Sequence, residues 1–244
     1  TGYWEDVGTL EAYLRAHTDV LDQMVQLRVP GFQIADGVWV GEGSDISPEA
    51  VIEGPAVVGP ECVVEAGVRL GAYSVLGSHV RVLRNASVER SVLQDNTFVG
   101  AGARLRGVVT GRGVNIHSSA RLEEGVVLGD NVQIGTNAAL TDGVKVYPGK
   151  VVESGAIVNS SIIWESRGAS SLFGRRGVEG LANVDVSPEL ATKLALAYAT
   201  SLKKDVTVVT SRDTSRAARM LKRAMMAGLN AGGVNVLDLE IAST

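Results

Sequence analysis

From Val40 onward a branched aliphatic residue returns every six positions. Val40, Ile46, Ile52, Val58, Val64, Leu70, Leu76, Val82 and Val88 form a first run, and Leu93, Val99 and Leu105 a second. Ile116, Leu122, Leu128, Ile134, Leu140, Val146, Val152 and Val158 form a third. Four residues after each stands Ser, Thr, Ala, Val or Cys, with Lys150 and Ile162 as exceptions. A period of six fits neither a helix nor an alternating strand. It marks a hexapeptide β-helix, in which three strand-and-turn hexads close one triangular coil. The aliphatic side chain points to the axis, and the small residue fits the corner beside it. One coil cannot bury its own apolar face, so stability comes from stacking. Residues 40–163 make roughly seven coils of about 18 residues. The slips between Val88 and Leu93 and between Leu105 and Ile116 are expected to be bulged turns. Cys62 falls at a small-residue corner, which predicts a buried, inert thiol.

The flanks follow other periods. Leu10, Tyr13, Leu14, His17, Leu21 and Met24 recur at helical spacing. Thr9 is the expected N-cap, Glu11 suits the first turn, and the helix should stop before Pro30-Gly31. After residue 186, Ser187, Pro188 and Glu189 open a second helix that ends at Lys203-Lys204. A short strand (206–210), a helix starting at Asp213 or Thr214 and ending at Gly232-Gly233, and a strand (234–241) then read as a parallel βαβ unit. The expected organisation is an N-terminal motif and helix (1–28), the β-helix (29–163), a Gly-rich linker (164–186) and a partial α/β domain (187–244). The fold class is therefore mainly β, and both ends read as interior to a longer chain.

Charge sharpens this division. The 244-residue chain carries a net charge of −4. Residues 1–163 hold 12 basic and 19 acidic side chains, whereas residues 164–244 hold 11 and 8. The acidic balance gives no generic attraction to nucleic acid or to an anionic membrane. No apolar run approaches the length of a membrane span, and no secretory signal precedes the first helix. A single cysteine excludes internal disulfides and fits a reducing compartment, so a cytoplasmic protein is expected.

Three segments carry a resemblance. "GYWEDVGTLEAYLRAHTDVL" resembles the C-terminal edge of the sugar-1-phosphate nucleotidyltransferase domain, where a Trp-x-Asp-x-Gly-Thr segment precedes a helix. A β-helix directly after it is similar to the mannose-1-phosphate guanylyltransferase and glucose-1-phosphate nucleotidyltransferase branches, and implies a left-handed coil. "SLFGRRGVEGLANVDVSPELATKLALAYA" and "TSRDTSRAARMLKRAMMAGLNAGGVNVLDL" resemble the start of an α-D-phosphohexomutase, a phosphomannomutase or phosphoglucomutase.

The resemblance implies that Asp6 is a Mg²⁺ ligand in a longer parent enzyme. That enzyme would transfer a nucleotidyl group, GMP from GTP, to mannose 1-phosphate and release pyrophosphate. Nucleoside triphosphate and sugar phosphate are its implied partners, and a homo-oligomer joined through the β-helix is implied as well. Arg175, Arg176 and Arg212 are candidate phosphate-binding residues, the first two within a "GRRG" turn whose backbone N–H groups suit an anion.

The mutase pattern is altered where its active-site arginine should stand, because Glu179 occupies that place, and the phosphoserine and metal loops would lie beyond Thr244. No complete catalytic set is present, so these residues alone are expected to be inactive and to serve assembly or regulation. Three other readings compete: a β-helix acyltransferase using an acyl-CoA donor, a phosphohexomutase, and a pure scaffold. For the first of these, His79 and His117 are candidate bases, and both should face outward. Arg216, Arg219, Lys222 and Arg223 share one helix and read as a solvated face.

Overall fold

Three hexads per coil give three faces. The computed structural model describes residues 3–163, 167–168, 172–173, 177–203 and 206–242. It separates into two compact units, one running through Ile163 and the other from Leu172 onward. The first is a parallel β-helix of about seven turns. Its first face stacks Val38–Val40, Ala56–Val58, Ser74–Leu76, Val92–Leu93, Val109–Thr110, Val127–Leu128 and Lys145–Val146. The second begins Asp45–Ile46, Val63–Val64, Arg81–Val82 and the third Val51–Ile52, Arg69–Leu70, Ser87–Glu89, each continuing coil by coil. An antiparallel strand, Phe32–Ala35, borders the first face by pairing with Val38–Val40.

The aliphatic ladder is the core of this unit. From Val58 to Leu140 the axial side chains are essentially sealed from solvent. Backbone N–H groups of one coil donate to carbonyls of the next, as from Gly59 to Leu76 at 2.8 Å. Backbone polar groups of the interior coils thus find partners beside the apolar axis. The corner residue three places after the axial one turns through positive φ, which explains the recurrence of Asn and Gly there, as at Asn131 (φ 57°) and Gly125 (φ 75°). Cys62 is buried as expected; burial pushes its thiol up, and Sγ donates to the Gly77 carbonyl at 3.0 Å.

The two slips are shortened corners rather than bulges. Arg90 (φ 46°) and Gly107 (φ 61°) each make the turn with one residue fewer. Ser91 closes the gap, its hydroxyl donating to Glu89 O at 2.7 Å and accepting from Val108 N at 3.0 Å. The ladder is also unbroken between Leu105 and Ile116. Thr110 takes the axial place, stacked between Leu93 and Leu128. Its buried Oγ1 accepts from Gln94 N at 3.1 Å and lies 3.2 Å from Thr97 Oγ1.

The N-terminal helix, α1 (Leu10–Leu21), is capped by Thr9, whose Oγ1 accepts from Ala12 N. It ends earlier than expected: Asp22 caps it, Gln23 turns to φ 58°, and Met24 lies exposed beyond it. It docks where the outward positions of the first face are apolar. Val57, Val75, Val92, Val109 and Val127 alternate with the axial residues there. Val92 and Val109 are buried although they point away from the axis. Gln94 Nε2 donates to Tyr13 OH at 2.7 Å, and Tyr73 OH donates to Asp22 at 3.0 Å. Burial pushes the Tyr13 hydroxyl upward, with the Gln94 bond opposing.

The second unit holds α2 (Pro188–Ser201), α3 (Arg216–Ala231) and the parallel strands Thr207–Arg212 and Asn235–Ile241. Ser187 caps α2 with Pro188 in its first turn, as expected. The start of α3 differs, with Ser215 as the cap, because its hydroxyl accepts from Ala218 N at 3.1 Å. Part of the expected linker is folded. Residues 181–186 form a tight turn in which Asp185 Oδ2 accepts from Leu181 N at 2.8 Å. Gly228 and Gly232 permit close contact between the helices, since a Cβ at either would collide with Thr192 O or Ala199 Cβ of α2.

Candidate functional site

Two places gather the polar chemistry. The first is the N-terminal segment. Asp6 is exposed, and its Oδ1 accepts from Gly8 N at 3.2 Å, a turn that delivers Thr9 to its capping position. Glu5 lies 3.5 Å from Arg15, and Tyr3 OH donates to Asp19 at 2.7 Å. That bond to a carboxylate holds the Tyr3 hydroxyl up at about 12. Trp4 remains 81% exposed. Val7, Gly8, Thr9 and Leu10 form one wall of a cavity of about 550 Å³. The facing wall includes Gln94, Thr110, Arg112 and Asp130 of the β-helix.

Magnesium takes several oxygen ligands and sheds its waters reluctantly. Among the described residues no group of three or more His, Cys, Asp or Glu side chains could hold a metal ion. Asp6 offers one carboxylate already engaged with Gly8, so the described residues by themselves do not make up a Mg²⁺ site.

The second place is the carboxyl end of the two parallel strands, where α/β folds collect ligands. Arg212 ends its strand with the side chain only 7% exposed. Its Nη1 donates to Asp213 O at 2.8 Å, and its Nη2 lies 3.8 Å from Glu240. Lys222 is equally buried; its Nζ donates to Asp238 at 2.5 Å and lies 3.9 Å from Glu240. Lys222 therefore departs from the solvated face expected for its helix. The Lys222 ammonium, with the Glu240 N–H, holds the Asp238 carboxyl below the usual carboxylate range. The Ser215 N–H and hydroxyl do the same for Asp213.

Two cations thus face two carboxylates. A cavity of about 610 Å³ adjoins this cluster, lined by Leu194, Tyr198, Thr210, Arg212, Lys222 and Met225 among others. Arg175 and Arg176 lie outside the described residues.

His79 and His117 are both exposed on the β-helix, as their hexad positions predict. The acids of the cluster, Asp238 and Glu240, escaped the sequence reading. The available signal was the position of Asp238, a carboxylate between Leu237 and Leu239 on the partly buried side of its strand, where a cationic partner is favoured.

Comparison with known proteins places both units. Residues 34–118 match the GMPPB C-terminal domain, and residues 170–244 match phosphoglucomutase/phosphomannomutase, alpha/beta/alpha domain I. A phosphoglucomutase/phosphomannomutase of Thermococcus kodakarensis is 43% identical over 77 residues, 30% of this chain and 17% of that protein. A glucose-1-phosphate adenylyltransferase of Bradyrhizobium diazoefficiens is 37% identical over 125 residues, 47% of this chain and 28% of that protein. A UTP–glucose-1-phosphate uridylyltransferase of Synechocystis is 30% identical over 104 residues, 42% of this chain and 27% of that protein. The chain thus spans less than a third of each of these relatives. Its homologues are sugar-phosphate nucleotidyltransferases and phosphohexomutases.

Proposed function

We propose that this chain is part of a longer cytoplasmic enzyme that transfers a nucleotidyl group to a hexose 1-phosphate and releases pyrophosphate. GMP from GTP and mannose 1-phosphate are the proposed pair. The observation that carries this reading is the β-helix, whose sequence is similar to the GMPPB C-terminal domain and to adenylyl- and uridylyltransferases of glucose 1-phosphate. In such a transfer a phosphate oxygen of the sugar phosphate attacks the α-phosphorus of the nucleotide, and the bond from that phosphorus to the α–β bridging oxygen breaks, so that pyrophosphate leaves intact. Within this reading the β-helix serves assembly, as the joint of a homo-oligomer, and the mutase-like unit regulates or extends that assembly.

Asp6 is the proposed Mg²⁺ ligand, completed by groups from elsewhere in the longer protein. Its exposure and its short turn onto Thr9 support that role, since they present a carboxylate beside the β-helix cavity. Arg212, Arg175 and Arg176 are the proposed phosphate contacts of the C-terminal part.

The test uses the complete polypeptide. Asp6→Asn should leave thermal melting unchanged and reduce guanylyl transfer about 100-fold or more, the scale of losing one electrostatic stabiliser. The 244-residue chain alone should show no transfer. Full activity of the Asn variant, or turnover by the isolated chain, overturns the proposal.

A further inference from the structure

Charge is segregated along the β-helix. Between Arg28 and Arg69 the chain has seven acidic residues and no basic one, whereas from Arg69 to Arg121 it has eight basic and two acidic. The boundary crosses the second face. Asp45, Val63 and Arg81 stand on three successive paired strands, at matching outward positions. Asp45 and Arg81 are exposed, and neither has an ion pair among the described residues. Two strand spacings, about 10 Å, keep them apart within one chain. The adjoining corner repeats the order, with exposed Glu49 below and exposed Arg84 above. Asp45, Val63, Glu65 and Arg84 also line a shallow groove of about 420 Å³.

An acid, an apolar residue and a base in one column complement the same column reversed. We propose that this face binds a second copy of the chain, antiparallel, about a two-fold axis through Val63. The axis sets Asp45 of each copy opposite Arg81 of the other and packs Val63 on Val63. It also brings Arg84 of each copy over the Pro48–Glu49 corner of its mate, beside Glu65. A two-fold contact uses one patch twice, so every pair is made in duplicate. Charge pairing of this kind sets register and partner choice more than raw affinity. The contact is therefore salt-sensitive. The inference rests on the self-association proposed above and names the surface that performs it.

The experiment is a charge swap followed by sedimentation. Asp45→Arg places like charges at both pairs, as does Arg81→Asp. A 1:1 mixture of the two variants restores both pairs. We expect wild-type dimers that weaken at least about tenfold when salt rises from about 50 to about 500 mM. Each variant alone should be monomeric with wild-type melting, because both positions are exposed. The mixture should form heterodimers. A wild type that stays monomeric rejects both this face and self-association. Variants that dimerise like wild type reject this face while leaving self-association standing. A mixture that fails to associate rejects the two-fold register.

Discussion

The two units bury apolar surface in opposite ways. In the β-helix one continuous column of aliphatic side chains runs through the coils, and strands of two or three residues suffice to hold it. In the C-terminal unit the strands are six and seven residues long, yet among the described residues its buried cluster is Ala195, Ala199, Leu229 and Val234, with Leu202, Val208 and Val236 partly buried against it. Val209, Leu237, Leu239 and Ile241 are each more than half exposed. Stacking makes the difference: an interior coil has a neighbour above and below, whereas a two-stranded sheet packed by helices on one face leaves the other in water. Polar groups follow suit. The β-helix admits a buried hydroxyl at Thr110 only with partners for it, while the C-terminal unit ties α3 to its second strand through the buried cation Lys222.

This contrast can be broken most sharply by one substitution made in both units. Leu128→Asp puts an unpaired carboxylate on the sealed axis and should cost about 3–5 kcal/mol, melting the neighbouring coils. Leu237→Asp, on the exposed sheet face, should change stability by no more than about 0.5 kcal/mol. Equal losses in thermal melting would show that the two cores do not differ as described.

Thr110→Val is a milder and more pointed test. It restores the aliphatic ladder but removes the acceptor for Gln94 N and the partner of Thr97 Oγ1. A loss of about 1–3 kcal/mol is expected, the cost of leaving a buried polar group unpaired. A gain in denaturant midpoint would mean that the ladder outweighs the hydrogen bonds.

The smallest effect is expected from acid. Asp238 and Asp213 have carboxyl groups held below their unfolded values. Their contribution is therefore present above the unfolded value and lost as pH falls through the lower folded one. Below about pH 4, the range of an unperturbed Asp, helical signal from the C-terminal unit should loosen before the β-helix does. Circular dichroism during an acid titration reads this order, and simultaneous loss would refute it.

The period of six determined the β-helix from the sequence alone, because a side chain's place on the axis repeats with the coil. Thr9 and Ser187 as caps, and the parallel pairing of the last two strands, were equally legible, since each depends on residues close in the chain. The resemblance around Asp6 marked the candidate site, yet spacing could not say what surrounds that carboxylate. Tertiary structure decided what required two distant segments to meet. Thr110 hides in the ladder because its partners, Gln94 and Thr97, lie one coil earlier. Lys222 reads as a surface cation until the strand bearing Asp238 and Glu240 folds beneath it. Helix α1 settles on the first face because only the folded coil lines up its outward valines, and Tyr13 meets Gln94 across 81 residues of chain. Local periodicity is written in neighbours, but the pairing of a buried charge or hydroxyl is a long-range choice. It becomes visible only when desolvation makes such a pairing matter, as it does for Thr110 and Lys222.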